Sequence, residues 1–167
     1  MIFVPKMYQK NIFTINYNIL KEKGIELLIF DLDNTIGHIH EDKINEETFN
    51  FLTNLKKSFK IVIASNSPKK RVSKFFLDSN LDYFSFCFKP SLISFKKIKR
   101  KYKIPYEKTA IIGDQILTDI FGGNRLGLYT ILVDPISIDF KVTKFNRKIE
   151  TIIKKRNNII KGVYYEN

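Results

Sequence analysis

The chain has 167 residues, the length of one ordinary domain, with 44% hydrophobic and 28% charged residues. This is the balance of a globular protein that folds without staples. Cys87 is the only cysteine, which excludes an internal disulfide. The formal net charge of +12 favours anionic partners: nucleic acid, acidic lipid or phosphorylated protein. A composition rich in Lys, Asn and Ile accounts for the same charge without any partner, and both readings stay open.

Met1–Leu20 is rich in apolar residues but is broken by Pro5, Lys6, Gln9, Lys10 and Asn11. No run reaches the ~18 apolar residues that a spanning helix needs. A cytoplasmic protein without a secretory signal is expected, with peripheral association at a membrane left open.

Glu26–Phe30 is the first predicted strand, and it runs into Asp31-Leu32-Asp33-Asn34-Thr35. Alternation along an extended chain sends Asp31 and Asp33 to the same side. Two carboxylates so close need a proton or a cation between them, and magnesium prefers oxygen ligands. The plainer reading is a polar strand end with an Asx-turn at Asn34. The loop Ile36–Asn45 follows and carries both histidines, His38 and His40. A solvated loop over the entrance is expected there rather than a metal site, with His38 near the leaving group.

Phe49, Leu52 and Leu55 share one face of a predicted helix Glu46–Ser58. The second strand, Lys60–Ala64, ends in Ser65-Asn66. Ser67 is placed as N-cap and Pro68 as first residue of a helix Pro68–Ser79. That arrangement leaves Ser65 and Asn66 for an anion at the helix N-terminus. Lys69, Lys70, Arg71 and Lys74 crowd the first turns, against the helix dipole. They belong either to a solvated basic face or to a site for an anionic substrate.

A third strand is expected over Phe84–Phe88, followed by Lys89-Pro90 and a helix Leu92–Tyr102. An ammonium at that edge holds phosphate as a point charge, although surface lysines abound in this chain. The fourth strand, Thr109–Gly113, ends in Asp114, with Asp119 five residues later. Gly113 permits close backbone approach. Asp119–Leu126 reads as a short helix stopped by Gly127, before a fifth strand Tyr129–Val133. From Lys141 to Lys161 a basic amphipathic helix carries Phe145, Ile149, Ile152, Ile153, Ile159 and Ile160. It reads as a helix packed on the domain or as a binder of anionic surfaces.

Alternating strands and helices predict a three-layer α/β domain, Rossmann-like, with a parallel five-stranded sheet. One domain over 1–167 is expected, with its core at about 26–134 and a C-terminal helical segment at about 138–161. Ligands of such sheets bind beyond the C-terminal ends of the strands. Acidic, hydroxyl and lysine groups stand in order at four successive predicted ends.

Those residues resemble the four motifs of the haloacid dehalogenase-like (HAD) phosphatase superfamily, over about Glu26 to Asp134. Lys23-Gly24-Ile25 leading to Leu32-Asp33-Asn34-Thr35 is similar to the YqeG-type branch of subclass III. That branch is related to mitochondrial phosphatidylglycerophosphate phosphatases. The resemblance implies a capless, magnesium-dependent phosphoric monoester hydrolase. By it, Asp31 is the nucleophile and Asp33 the general acid and base. Thr35, Ser65, Asn66 and Lys89 hold phosphate. Asp31, the Asp33 backbone carbonyl and Asp114 hold the metal, with Asp119 in support.

Thirty-three residues separate Asp31 from Ser65, and 23 separate Ser65 from Lys89. A helix and a strand fill most of each interval, which excludes a large cap. An open site suits phosphate presented by something large, with phosphatidylglycerophosphate as the leading substrate. A phosphoprotein or nucleotide substrate is one alternative. A non-enzymatic basic domain binding RNA or lipid is another. A phospho-receiver domain fits poorly, because nothing acidic adjoins Lys89. The chain has no Gly-x-x-x-x-Gly-Lys loop, so ATP use is not expected.

Overall fold

The computed structural model describes residues 2–77, 79–137 and 140–165, with backbone alone for 140–145. Six strands form one sheet: β1 (Met7–Gln9), β2 (Leu27–Phe30), β3 (Lys60–Ala64), β4 (Asp82–Phe84), β5 (Thr109–Gly113) and β6 (Tyr129–Val133). Their order is β1-β6-β5-β2-β3-β4, and every pairing is parallel. The sheet thus has six strands where the sequence predicts five. The extra one, β1, lies outside the expected core span and pairs with β6 from 124 residues away, Gln9 opposite Val133.

Helices fill the connections: α1 (Tyr17–Glu22), α2 (Glu46–Leu55), α3 (Lys69–Phe75), α4 (Ile93–Tyr102), α5 (Phe121–Asn124) and α6 (Phe140–Arg156). Strand alternation divides the core into two layers. Leu28, Phe30, Ile61, Ile63 and Ile112 face one side, packed with Leu20 of α1, Leu52 of α2 and Val72 and Phe75 of α3. Leu27, Ile29, Val62 and Ile111 face the other, against Phe95 and Ile98 of α4. Near β1 and β6 a third cluster joins Tyr8, Ile116, Ile120, Leu132 and Ile159, with Ile153 of α6 packed on it.

The chain leaves β2 toward β3 and β4, then returns to β2's other side with β5. That reversal beside β2 is the topological switch point, where such sheets open a crevice for ligands. No helix among the described residues is long and apolar enough to cross a membrane.

Several elements differ from expectation; the predicted helix Asp119–Leu126, for one, is a wide helical turn over Ile116–Ile120 continued by α5. The third predicted strand, Phe84–Phe88, is realised as Asp82–Phe84, and the chain then leaves the sheet. Aromatic residues favour strands by propensity, but Phe86 and Phe88 adopt φ of 48° and 51°, which no strand tolerates. The predicted helix Pro68–Ser79 spans Lys69–Phe75, and Pro68 rather than Ser67 is its N-cap, with no side-chain cap bond. In α6, Ile153 faces the domain while Ile152 is exposed, so the helix packs on the sheet with an outward basic face. It ends at Arg156, and the expected contribution of Phe145 lies outside the described side chains.

Candidate active site

Asp31 follows β2, the strand between β3 and β5, and its own N–H donates to the Ile112 carbonyl at 2.9 Å. The carboxylate is therefore anchored by the sheet at its base. A tight turn follows, in which the N–H groups of Thr35, Ile36 and Gly37 all point to the Leu32 carbonyl. Asn34 sits at its head with φ 65°, a conformation asparagine tolerates better than most residues. The Asn34 side chain is engaged outside the Asx-turn of the plainer reading: its Oδ1 accepts from Ser137 Oγ at 3.0 Å. The turn brings Thr35 Oγ1 to 3.3 Å from Asp31 Oδ2.

Lys89 is the centre of the constellation. Its Nζ donates to Asp31 Oδ1 at 2.6 Å and to Asp119 Oδ1 at 2.7 Å, with all three side chains largely buried. Asn66 fixes this lysine from behind, accepting from the Lys89 N–H at 2.7 Å and donating to the Lys89 carbonyl at 3.1 Å. The Asn66 amide is therefore committed to the lysine's backbone rather than spare for a ligand. Ser65 Oγ accepts from the Ser67 N–H at 3.0 Å and faces the same crevice end of β3. The Ser67 hydroxyl, freed from capping, donates to Asp33 Oδ2 at 2.6 Å. Arg71 of α3 donates to Asp33 Oδ1 at 3.1 Å and to the His38 carbonyl at 3.0 Å. Ser67, just before α3, and Arg71 within it thus hold Asp33, a role that the sequence assigns to neither.

Asp119 reaches Lys89 because residue 113 is glycine. A Cβ there would lie 2.3 Å from the Asp119 Cγ. Its second oxygen accepts from the Gln115 N–H at 3.2 Å.

Asp114 is completed by an element that the sequence motifs do not include. Arg147 of α6 donates to Asp114 Oδ2, to the Asp114 carbonyl at 2.9 Å and to Glu150 Oε2 at 3.2 Å. Glu150 in turn accepts from the Leu117 N–H at 3.3 Å. The signal for this pair was present in the sequence, since Glu150 is the one acid in a helix otherwise crowded with Lys and Arg.

Carboxylate oxygens of Asp31, Asp114 and Asp119 lie within 4.8 Å of one another, the grouping among the described residues suited to a metal ion. Two buried side-chain atoms among the described residues lack a hydrogen-bond partner: Asp114 Oδ1 and Arg71 Nη1. A buried orphan of this kind is costly unless a ligand completes it. One is an acceptor suited to a cation and the other a donor suited to an anion. The charge count agrees. Among the described residues Asp31, Asp33, Asp114, Asp119 and Glu150 are ion-paired directly by Lys89, Arg71 and Arg147, with Lys154 acting on Glu150 as well, so acids outnumber bases and the excess suits a cation. The donor set, all carboxylate oxygen, is the one a hard cation prefers.

Burial pushes the Asp31 carboxyl well above the ordinary carboxylate range, Lys89 pulls it back, and Asp119 and Asp114 add to the rise. Burial likewise raises Asp114 to about 6 against the pull of Arg147. Burial alone would depress Lys89, but Asp119 and Asp31 outweigh it and hold the ammonium protonated. A cation among these acids reverses the carboxyl shifts by stabilising their ionised forms.

Beside Thr35 opens a cavity of about 420 Å³, lined among others by Lys10, His38, Glu41, Asp134 and Ile136. His38 lines this cavity and, among the described residues, belongs to no metal cluster.

Two family models match the chain: mitochondrial PGP phosphatase over residues 1–74 and HAD-hydrolase-like over residues 86–135. Probable phosphatase YqeG of Bacillus subtilis (strain 168) is 34% identical over 163 residues, covering 94% of this chain and 95% of that protein. The chain belongs to the HAD-like phosphatases, in their YqeG-type branch. Solved HAD structures share the fold at low identity. A predicted HAD-like family hydrolase from Porphyromonas gingivalis superposes with a TM-score of 0.56 at 14% identity, over 75% of this chain and 98% of that one. The cobalt-bound deoxy-D-mannose-octulosonate 8-phosphate phosphatase of Haemophilus influenzae gives 0.51 at 15%, over 83% and 92%. In this HAD-like phosphatase Asp31, Lys89, Asp114 and Asp119 come together, Ser65 ends the neighbouring strand β3, and Arg147 and Glu150 are added from α6.

Proposed function

We propose that the protein is a magnesium-dependent phosphatase that forms an aspartyl-phosphate on Asp31 and acts on a lipid phosphomonoester, phosphatidylglycerophosphate being the leading substrate. The observation that carries the reading is the buried Asp31–Lys89–Asp119 bridge beside an Asp114 oxygen with no partner. Asp31 and Asp114 would hold the ion together with the Asp33 carbonyl. Bound there, magnesium neutralises charge on nucleophile and phosphoryl oxygens, so that anion attacks anion at a tolerable cost.

The chain's own groups do the rest. Asp31 attacks phosphorus, and the ester oxygen leaves with a proton from Asp33. Ser67 and Arg71 hold Asp33 for this transfer, and the same carboxylate then takes a proton from the water that cleaves the acyl phosphate. Lys89, Ser65 and Thr35 steady phosphoryl oxygens. Asp119 orients Lys89, and Asn66 orients its backbone. Lowering a monoester barrier takes on the order of 20 kcal/mol, so positioning, charge and covalent capture must act together.

Support for a lipid substrate comes from three sides. The PGP phosphatase model covers 1–74. The connection from β2 to β3 holds a single helix, α2, and no cap. The unpartnered Arg71 donor beside Asp33 suits a leaving group that is itself anionic. The test is phosphate release from a panel of phosphatidylglycerophosphate, a phosphopeptide and nucleoside monophosphates, with and without magnesium. Preference for the lipid, abolished by chelator, is expected. Preference for the peptide or nucleotide would overturn the lipid assignment. Metal-independent hydrolysis would overturn the mechanism.

A further inference from the structure

The loop that delivers Lys89 carries two aromatic rings outward. Along Phe86-Cys87-Phe88-Lys89 burial alternates: Cys87 and Lys89 are buried, whereas Phe86 is 49% and Phe88 67% exposed. The rings stack, with centroids 6.0 Å apart. Both residues hold left-handed backbone, uncommon and strained for a bulky side chain. The conformation is imposed by neighbours. The Phe86 N–H donates to the Ser67 carbonyl, the Cys87 N–H to the Ser65 carbonyl, and Ser91 to the Phe88 carbonyl, all within 3.0 Å. Ser94 Oγ holds the Cys87 carbonyl at 3.1 Å. The loop is pinned at each step, so the rings stay in water.

The segments that flank them are basic. Ile93, 63% exposed, opens α4, and Lys96, Lys97 and Arg100 follow at three, four and seven residues on the same exposed face. Lys69 and Lys70 are exposed two and three residues past Ser67, which the Phe86 N–H contacts. No acid occurs between Ser65 and Leu77 or between Phe84 and Lys101. Phe86 is linked through Ser67 to Asp33, so this patch borders the mouth of the site.

We infer that Phe86, Phe88 and Ile93 insert into the interface of an anionic lipid bilayer, with the flanking lysines on the headgroups, and so seat the active site at the membrane. The patch exposes on the order of 300 Å² of apolar side chain. A stable protein interface needs about 800 Å² per partner, so the patch is too small for one. Aromatic rings with basic flanks are what an interfacial anchor requires. The inference rests on the reading of the site as one for a surface-presented phosphate, but vesicle binding needs no turnover, so the two fail separately.

The test compares the wild-type full chain with the double variant Phe86→Asn, Phe88→Asn. Asparagine accepts left-handed backbone, so the variant removes the rings and relieves their strain. A second variant, Lys96→Gln, Lys97→Gln and Arg100→Gln, lies away from the loop. Co-sedimentation is measured with vesicles of pure phosphatidylcholine and of equimolar phosphatidylcholine and phosphatidylglycerol. Hydrolysis of a soluble phosphomonoester is followed in parallel. The wild type is expected to bind the anionic vesicles alone, and each variant to lose about tenfold or more in binding. Soluble-ester hydrolysis should stay at the wild-type rate. A wild type that ignores anionic vesicles overturns the inference, as does a ring variant that binds them undiminished. So does a dimer that the ring variant dissociates. If vesicles bind but no ester is hydrolysed, the phosphatase mechanism fails and the docking stands.

Discussion

The two sides of the catalytic crevice are built differently. On one side Asp31, Lys89 and Asp119 form a closed ionic bridge in which both oxygens of each carboxylate have a partner. On the other, Asp114 is held by one oxygen only, through an arginine that arrives from the C-terminal helix, and its second oxygen is buried without a partner. The first side is complete before any ligand arrives. The second is built to be completed. On the proposed reading, the first side positions the phosphoryl group and the second, with Asp31, takes up the positive charge.

The largest effect is expected on the closed side. Asp31→Asn removes the proposed nucleophile and should lower turnover by ~10⁴-fold or more while the melting temperature holds or rises. Near-wild-type phosphate release by this variant would break the contrast at its centre. Lys89→Met leaves Asp31 and Asp119 facing each other, both buried, and should destabilise the metal-free protein by about 3–5 kcal/mol in urea denaturation. Magnesium should recover part of that loss, since a divalent ion replaces the missing charge.

On the open side, Arg147→Met strips the counter-charge from Asp114 and Glu150, both fully buried. The cost should be about 2–4 kcal/mol, more than for Arg71→Met, whose partner Asp33 is about a quarter exposed. Equal costs in paired denaturation curves would show that α6 is only an outer cover.

The smallest effect is one of pH. Burial raises Asp114 to about 6 against an ordinary 3.8, so in acid it holds a proton that competes with a cation. Apparent magnesium affinity measured by calorimetry should therefore climb as pH rises through about 6, by about tenfold or more per unit below it, since the raised Asp31 must also lose its proton. Stability of the metal-free protein runs the opposite way. The folded state holds this proton more tightly, so this group's contribution declines as pH rises from about 4 to 6.

Much of the site was legible in the sequence, because chemistry-bearing residues stood immediately after apolar runs. Lys60–Ala64, Thr109–Gly113 and Tyr129–Val133 are strands to the residue, and Asp31, Ser65 and Asp114 follow the strands as their spacing requires. What escaped did so for identifiable reasons. Strand β1 has three residues, too few to show a period, and exists through pairing with a strand at the far end of the chain. Phe84–Phe88 alternates as a strand does, but loop hydrogen bonds to Ser65 and Ser67 override propensity after Phe84. Ser67 has the chemistry of a cap, yet a neighbouring carboxylate competes better for its hydroxyl. Arg147 is one cation among many in its helix, and only the fold reveals which one meets Asp114.

A crystal structure with magnesium and beryllium fluoride tests the central claim most directly. The account predicts the fluoride complex on Asp31, contacted by Lys89, and the ion on the free oxygen of Asp114 with Arg147 still on the other. Beryllium fluoride on any other side chain, or an ion seated away from both Asp31 and Asp114, would contradict it.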